Sequence, residues 1–190
     1  MKLQIRPLHR LVFTALLAAM ATLLMVTINV PIIPAAAYLK ADPSGAVILL
    51  GGLLLGPMGA LECALLKSLL YFLVHGGSLY GIFSDLIATL TFTVMASWTA
   101  GRLHHVSLPR LIACCLEGCC AATLLMIPAN YGILALQFGM SPQAVTASMI
   151  YIIPYNLLKT LGNSAVALAI FPAVYNALSK RIPQIQERSS

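Results

Sequence analysis

A chain of 190 residues that is 60% hydrophobic and only 8% charged is more apolar than a soluble domain, whose apolar share is roughly 45 to 50%. Its mean hydropathy is +0.93, and at about 20 residues per span it has room for about five to seven membrane helices and no soluble catalytic domain. The formal charge of +6 sits between apolar runs and reads as a topology signal, which argues against a nucleic-acid partner.

The alternation of period 2 that barrel strands need is missing, so an all-α bundle is expected. Helix 1 is expected at about residues 9–28. Its charged start and apolar run look like a signal peptide, but no small-residue cleavage pattern stands out, and the helix is expected to be retained. Ala15 and Ala19 stand four apart within it, and Ala18 and Thr22 repeat the spacing one position over. Such a stripe lets another helix approach closely, either inside the bundle or in a partner. A loop with Pro31, Pro34, Lys40, Asp42 and Pro43 follows. The next apolar stretch, 45 to 74, is too long for one span, and Gly56 and Pro57 divide it into helix 2 at about 44–56 and helix 3 at about 58–74. Helix 2 reaches only about 20 Å at 1.5 Å per residue, which implies local adaptation or an incomplete crossing. Gly52 and Gly56 repeat the small-residue spacing there. Helices 4, 5 and 6 are expected at about 79–101, 110–137 and 149–178, each ended by Pro, Gly or charge. The expectation is a single membrane domain of six helices.

Lys2, Arg6 and Arg10 precede helix 1, Arg102 and Arg110 bracket the loop after helix 4, and Lys180, Arg181 and Arg188 follow helix 6. The opposite loops contain only Lys40, so both termini are expected in the cytoplasm, in agreement with an even helix count. Polar residues then acquire depths. Asp85 of helix 4 falls about 9 Å below the outer surface, Asn130 of helix 5 about 10 Å, and Asn156 and Lys159 of helix 6 about 10 to 15 Å, one turn apart on one face. Lys67 is near mid-depth on helix 3, with Tyr71 one turn nearer the outside. A lysine near the bilayer centre costs roughly 2.5 to 3.5 kcal/mol on insertion scales, so Lys67 and Lys159 are expected to face a polar interior. One reading is a buried ion pair between Asp85 and one lysine, with the asparagines joining helices. The other is a ligand pocket opening outward, which is favoured because pairing two charges does not require two asparagines at the same level.

Glu62 and Glu117 read as packing or partner-contact residues, with a proton relay as the alternative. His9, His75, His104 and His105 form no metal-ligand cluster by spacing, and Cys114, Cys115, Cys119 and Cys120 spread around a helix as small packing residues. No GxxxxGK[ST] loop, HExxH motif or serine, histidine and acid set occurs, so neither a cofactor nor enzymatic turnover is expected. A solute-binding membrane subunit that borrows energy from partners fits better. The alternative is an intramembrane enzyme or proton-coupled carrier using Lys67, Asp85 and Glu62.

Five segments carry a resemblance: PAAAYLKADPSG (34–45), LGPMGALECALLKSLLYFL (55–73), GGSLYGIFSDLIA (76–88), PANYGIL (128–134) and, most specifically, IIPYNLLKTLGNSAVALAIFPAVY (152–175). From about residue 10 to 178 the chain resembles the substrate-binding S components of energy-coupling factor (ECF) transporters, most closely the riboflavin-specific branch. The resemblance implies that Asn130, Asn156 and Lys159 contact flavin. Asp85, Lys67, Tyr71, Tyr38 and Leu39 complete the expected substrate-binding set. Asp85 stands where an amide would be expected in relatives. Riboflavin is neutral, so Asp85 is expected to supply the lysines with a counter-charge; another vitamin such as pantothenate or a folate is the alternative ligand. The implied partners are a transmembrane coupling protein and two cytoplasmic ATP-binding subunits, with Ala15 and Ala19 as a docking face.

Overall fold

The segment SGAVILLGGLLL is small and apolar around its whole circumference, so no side of it is suited to water. In the computed structural model it forms α2 (Ser44–Leu55), buried at every position but the last. Around it the chain runs through α1 (Pro7–Thr27), α3 (Pro57–His75), α4 (Leu79–Ala100), α5 (Leu108–Phe138) and α6 (Pro142–Arg181). The α1–α2 connection holds a 3-10 turn at Pro34–Ala36 and a short antiparallel ladder, β1 (Val30–Pro31) with β2 (Lys40–Ala41). The structure describes residues 7–36, 39–103 and 107–181, without the side chains of residues 35, 180 and 181. His104, His105, Lys2, Arg6, Arg188 and the side chains of Lys180 and Arg181 lie outside that set.

Among the described residues five helices are long and apolar enough to cross a membrane, and the 12-residue α2 is the short one. The chain is thus an all-helical, multi-pass membrane protein. α1, α3 and α5 end, and α2, α4 and α6 begin, at the same end of the bundle. The central core joins Leu49, Leu50, Leu53 and Leu54 of α2 to Phe92 and Ala96 of α4, Cys115 and Cys119 of α5, and Ala167 and Phe171 of α6.

The chain breaks at Gly56–Pro57 and again after His75. Gly56 holds φ 84° and Gly76 φ 67°, left-handed values that favour glycine and reverse the chain after a helix. The two small residues of α2 therefore differ in role. A Cβ on Gly52 would lie 3.0 Å from Ala60 Cβ and from Ser97 Cβ, so Gly52 allows close packing, whereas Gly56 has open space around it and is needed for its conformation.

α6 begins at Pro142, earlier than the expected start near 149. Ser141 caps it: the Ala144 N–H donates to Ser141 Oγ at 3.4 Å, and Pro142 occupies the first turn, where a missing N–H costs nothing. Counted from Pro142, Asn156 lies about 21 Å along the axis of α6, although it borders the same cavity as Asp85 and Asn130.

Candidate functional site

A cavity of about 330 Å³ opens at the end of the bundle where α3 hands over to α4. Its wall takes Leu39 from the first connection, Tyr71 from α3, Asp85 from α4, Asn130 from α5, and Asn156 and Lys159 from α6. Four helices thus place polar groups around one cavity, to which the loop adds an apolar side chain, within a volume typical of small-molecule sites.

Its floor is a network of four charges. Lys159 Nζ donates to Asp85 Oδ1 at 2.6 Å and stands 3.0 Å from Asp42 Oδ2. Lys67 Nζ donates to the other oxygen of Asp85. These four side chains are between 1% and 9% exposed, so each charge relies on its partners to offset desolvation. Two cations and two anions leave no net charge.

Asp42 is held at its other oxygen too, where Oδ1 accepts the Ser44 N–H at 3.0 Å and the Ser44 hydroxyl. α2 has Pro43 at its N-cap, which offers no side-chain acceptor. Asn163 of α6 takes over, its Oδ1 accepting the Ala46 N–H at 3.0 Å while its Nδ2 donates to the Asp42 carbonyl at 3.2 Å. The buried helix start, the loop and α6 are thereby tied together directly behind Lys159.

The two asparagines share one geometry. Asn130 Nδ2 donates to the Met126 carbonyl at 2.6 Å and Asn156 Nδ2 to the Ile152 carbonyl at 2.9 Å, each one turn back on its own helix. Among the described residues neither amide oxygen has a protein partner. Both side chains border the cavity while buried, so they present acceptor capacity to whatever fills it. Tyr71 packs against His75 with ring centroids 5.1 Å apart.

Of the residues singled out from the sequence, Asp85, Asn130, Asn156, Lys159, Tyr71 and Leu39 meet around this cavity. Lys67 does not border it: at 1% exposure it sits behind Asp85 as a counter-ion. Tyr38 lies outside the described residues. Ala15 and Ala19 are elsewhere, exposed on α1. The ion pairs and the cavity coexist, because Asp85 pairs with both lysines and still lines the cavity. Sequence reasoning missed Asp42, Asn163 and Tyr155, whose hydroxyl donates to the Lys40 carbonyl at 2.6 Å and fastens the first connection to α6. Asn163 was findable, since it follows Lys159 by four residues and falls on the same helical face. Asp42 had the weaker signal of an acid just ahead of a proline and a helix start.

Glu62 accepts from Arg10 at 2.6 Å, linking α3 to α1 far from the cavity. Glu117 is exposed on α5. Cys114, Cys115 and Cys119 are buried and Cys120 is exposed; among the described residues no group of histidine, cysteine and acid side chains is placed to hold a metal.

The model of the family described as "ECF transporter, substrate-specific component" matches residues 9–171. A solved structure of the S component of a bacterial ECF transporter is similar at 27% identity and a TM-score of 0.79, over 91% of this chain and 99% of that one. No curated protein sequence matches the chain significantly. The chain belongs to the substrate-specific components of ECF transporters, membrane subunits that bind a transported substrate, work with an ECF module of coupling protein and ATPases, and are not enzymes.

Proposed function

We propose that the cavity binds riboflavin from outside the cell and that the protein delivers it with the ATPase-driven coupling module. The observation that carries this reading is a charge-balanced floor beside two amides. Riboflavin is uncharged, and its pyrimidine edge alternates donors and acceptors that Asn130, Asn156 and the remaining N–H of Lys159 can satisfy. Its dimethylbenzene end suits the apolar part of the wall, where Leu39, Leu134, Ile152 and Met126 lie. The cation asymmetry supports cytoplasmic termini, which point the cavity outward and put the first half of α1, with Ala15 and Ala19, toward the side where the ATPases work.

Purified protein, without ATP or metal, is expected to bind riboflavin, seen as quenching of flavin fluorescence, a heat of binding, and a yellow absorption band that co-purifies. Absence of heat and quenching with riboflavin, while another vitamin binds, would overturn the flavin assignment.

A further inference from the structure

An ammonium has three N–H donors. Lys159 has two of them committed, to Asp85 Oδ1 at 2.6 Å and toward Asp42 Oδ2 at 3.0 Å. Lys67 is closed off from the cavity and bound to Asp85. Of the other titratable side chains at the wall, Tyr71 and Tyr155 are phenols, and Lys40 and His75 are exposed at its mouth, where solvent and salt screen them. A carboxylate or phosphate arriving at Lys159 therefore finds an ammonium already neutralised by two carboxylates, and gains no net attraction to offset the hydration it gives up. A carbonyl oxygen gives up far less hydration and can accept the third N–H.

We propose that Asp42 and Asp85 set the charge selectivity of the cavity: by neutralising Lys159 and Lys67 from within the protein, they reserve it for uncharged ligands and exclude carboxylate- or phosphate-bearing ones. This rests on the cavity being the substrate site, and not on the substrate being a flavin. Asp42 is the more revealing of the two. Its Oδ1 is fixed by the Ser44 N–H and hydroxyl while Oδ2 faces Lys159, so the carboxylate cannot swing aside to make way for an anion.

Binding by the full-length protein at physiological ionic strength tests this with matched pairs, an uncharged compound and an anion of the same skeleton: riboflavin and its 5′-phosphate, pantothenol and pantothenate, biotinamide and biotin. The wild type is expected to bind the uncharged member of one pair at least tenfold more tightly than the anion. Asp42→Asn retains an oxygen for Ser44 but drops the charge, and it should shrink that ratio at least tenfold. Asp85→Asn should act in the same direction. Tight binding of an anion by the wild type, an unchanged ratio in both Asn variants, or no binding within any pair overturns the proposal. Preference for pantothenol over pantothenate without riboflavin binding leaves it standing and refutes the flavin reading instead.

Discussion

Lys159 and Lys67 are both buried lysines bound to Asp85, yet they have different work, because only Lys159 borders the cavity. Substitution separates them. Asn156→Ala removes a side chain that borders the cavity and is expected to weaken ligand binding by about 1 to 3 kcal/mol, the cost of leaving a buried polar ligand atom unsatisfied. Cys119→Ala, at a packing position, should leave affinity nearly unchanged in the same titration. Lys67→Met is expected to act on the fold: breaking one partner out of a buried ion pair costs about 3 to 5 kcal/mol, and the low end applies because Asp85 keeps Lys159. Thermal unfolding in detergent checks this, and a variant as stable as the wild type would show that Lys67 is not needed to neutralise Asp85. The sequence made Lys67 and Lys159 legible because a lysine in an apolar run is costly enough to demand a reason. It could not say which lysine lines the cavity, since that depends on how α3 and α6 are rotated against α4. Asp42 was harder still. It lies in a loop, where an acid is ordinary, and only the tertiary fold brings it to Lys159.

Among the elements, α2 was readable as an oddity and not as the centre. Its length and its lack of a polar face were both visible, but being apolar all round is a property shared by buried helices and lipid-facing ones. The packing of α4 on α5 was not legible at all. A Cβ on Gly118 would stand 2.5 Å from the Phe92 carbonyl oxygen and 3.0 Å from Ala96 Cβ, so this glycine permits the close approach of the two helices. Gly118 and Ala122 do stand four apart, but such small-residue spacing is common in membrane helices and does not say which helix it meets. Gly118→Val is expected to push α5 away and destabilise the bundle by about 1 to 3 kcal/mol, as overpacking does in tight cores. Gly132→Ala on the same helix meets nothing within 4 Å and serves as the control. Equal unfolding temperatures for the two variants would show that the interface yields easily.

For the molecule as a whole, the two small-residue registers of α1 divide between inside and outside. Ala18 and Thr22 are buried, and the Thr22 hydroxyl donates to the Ala18 carbonyl at 2.8 Å and approaches the Lys67 carbonyl of α3 at 3.4 Å, so that register is internal packing. Ala15 and Ala19 are exposed, flanked by Leu11, Leu16, Met20 and Leu23, also exposed. An apolar surface with a shallow line of small residues suits either lipid or a closely packed partner helix, and membership of a family that works with a coupling protein favours the partner. Replacing Ala15 and Ala19 together by Leu is expected to abolish uptake in cells while leaving ligand affinity of the isolated protein unchanged. The larger side chains would hold a partner helix away, and none of the helices that supply Asp85, Asn130, Asn156 and Lys159 is altered. Co-purification with the coupling subunit, measured beside uptake and binding, decides the matter. Variants that still assemble and transport normally would mean that this stripe faces lipid, and that the partner is met on another side of the bundle.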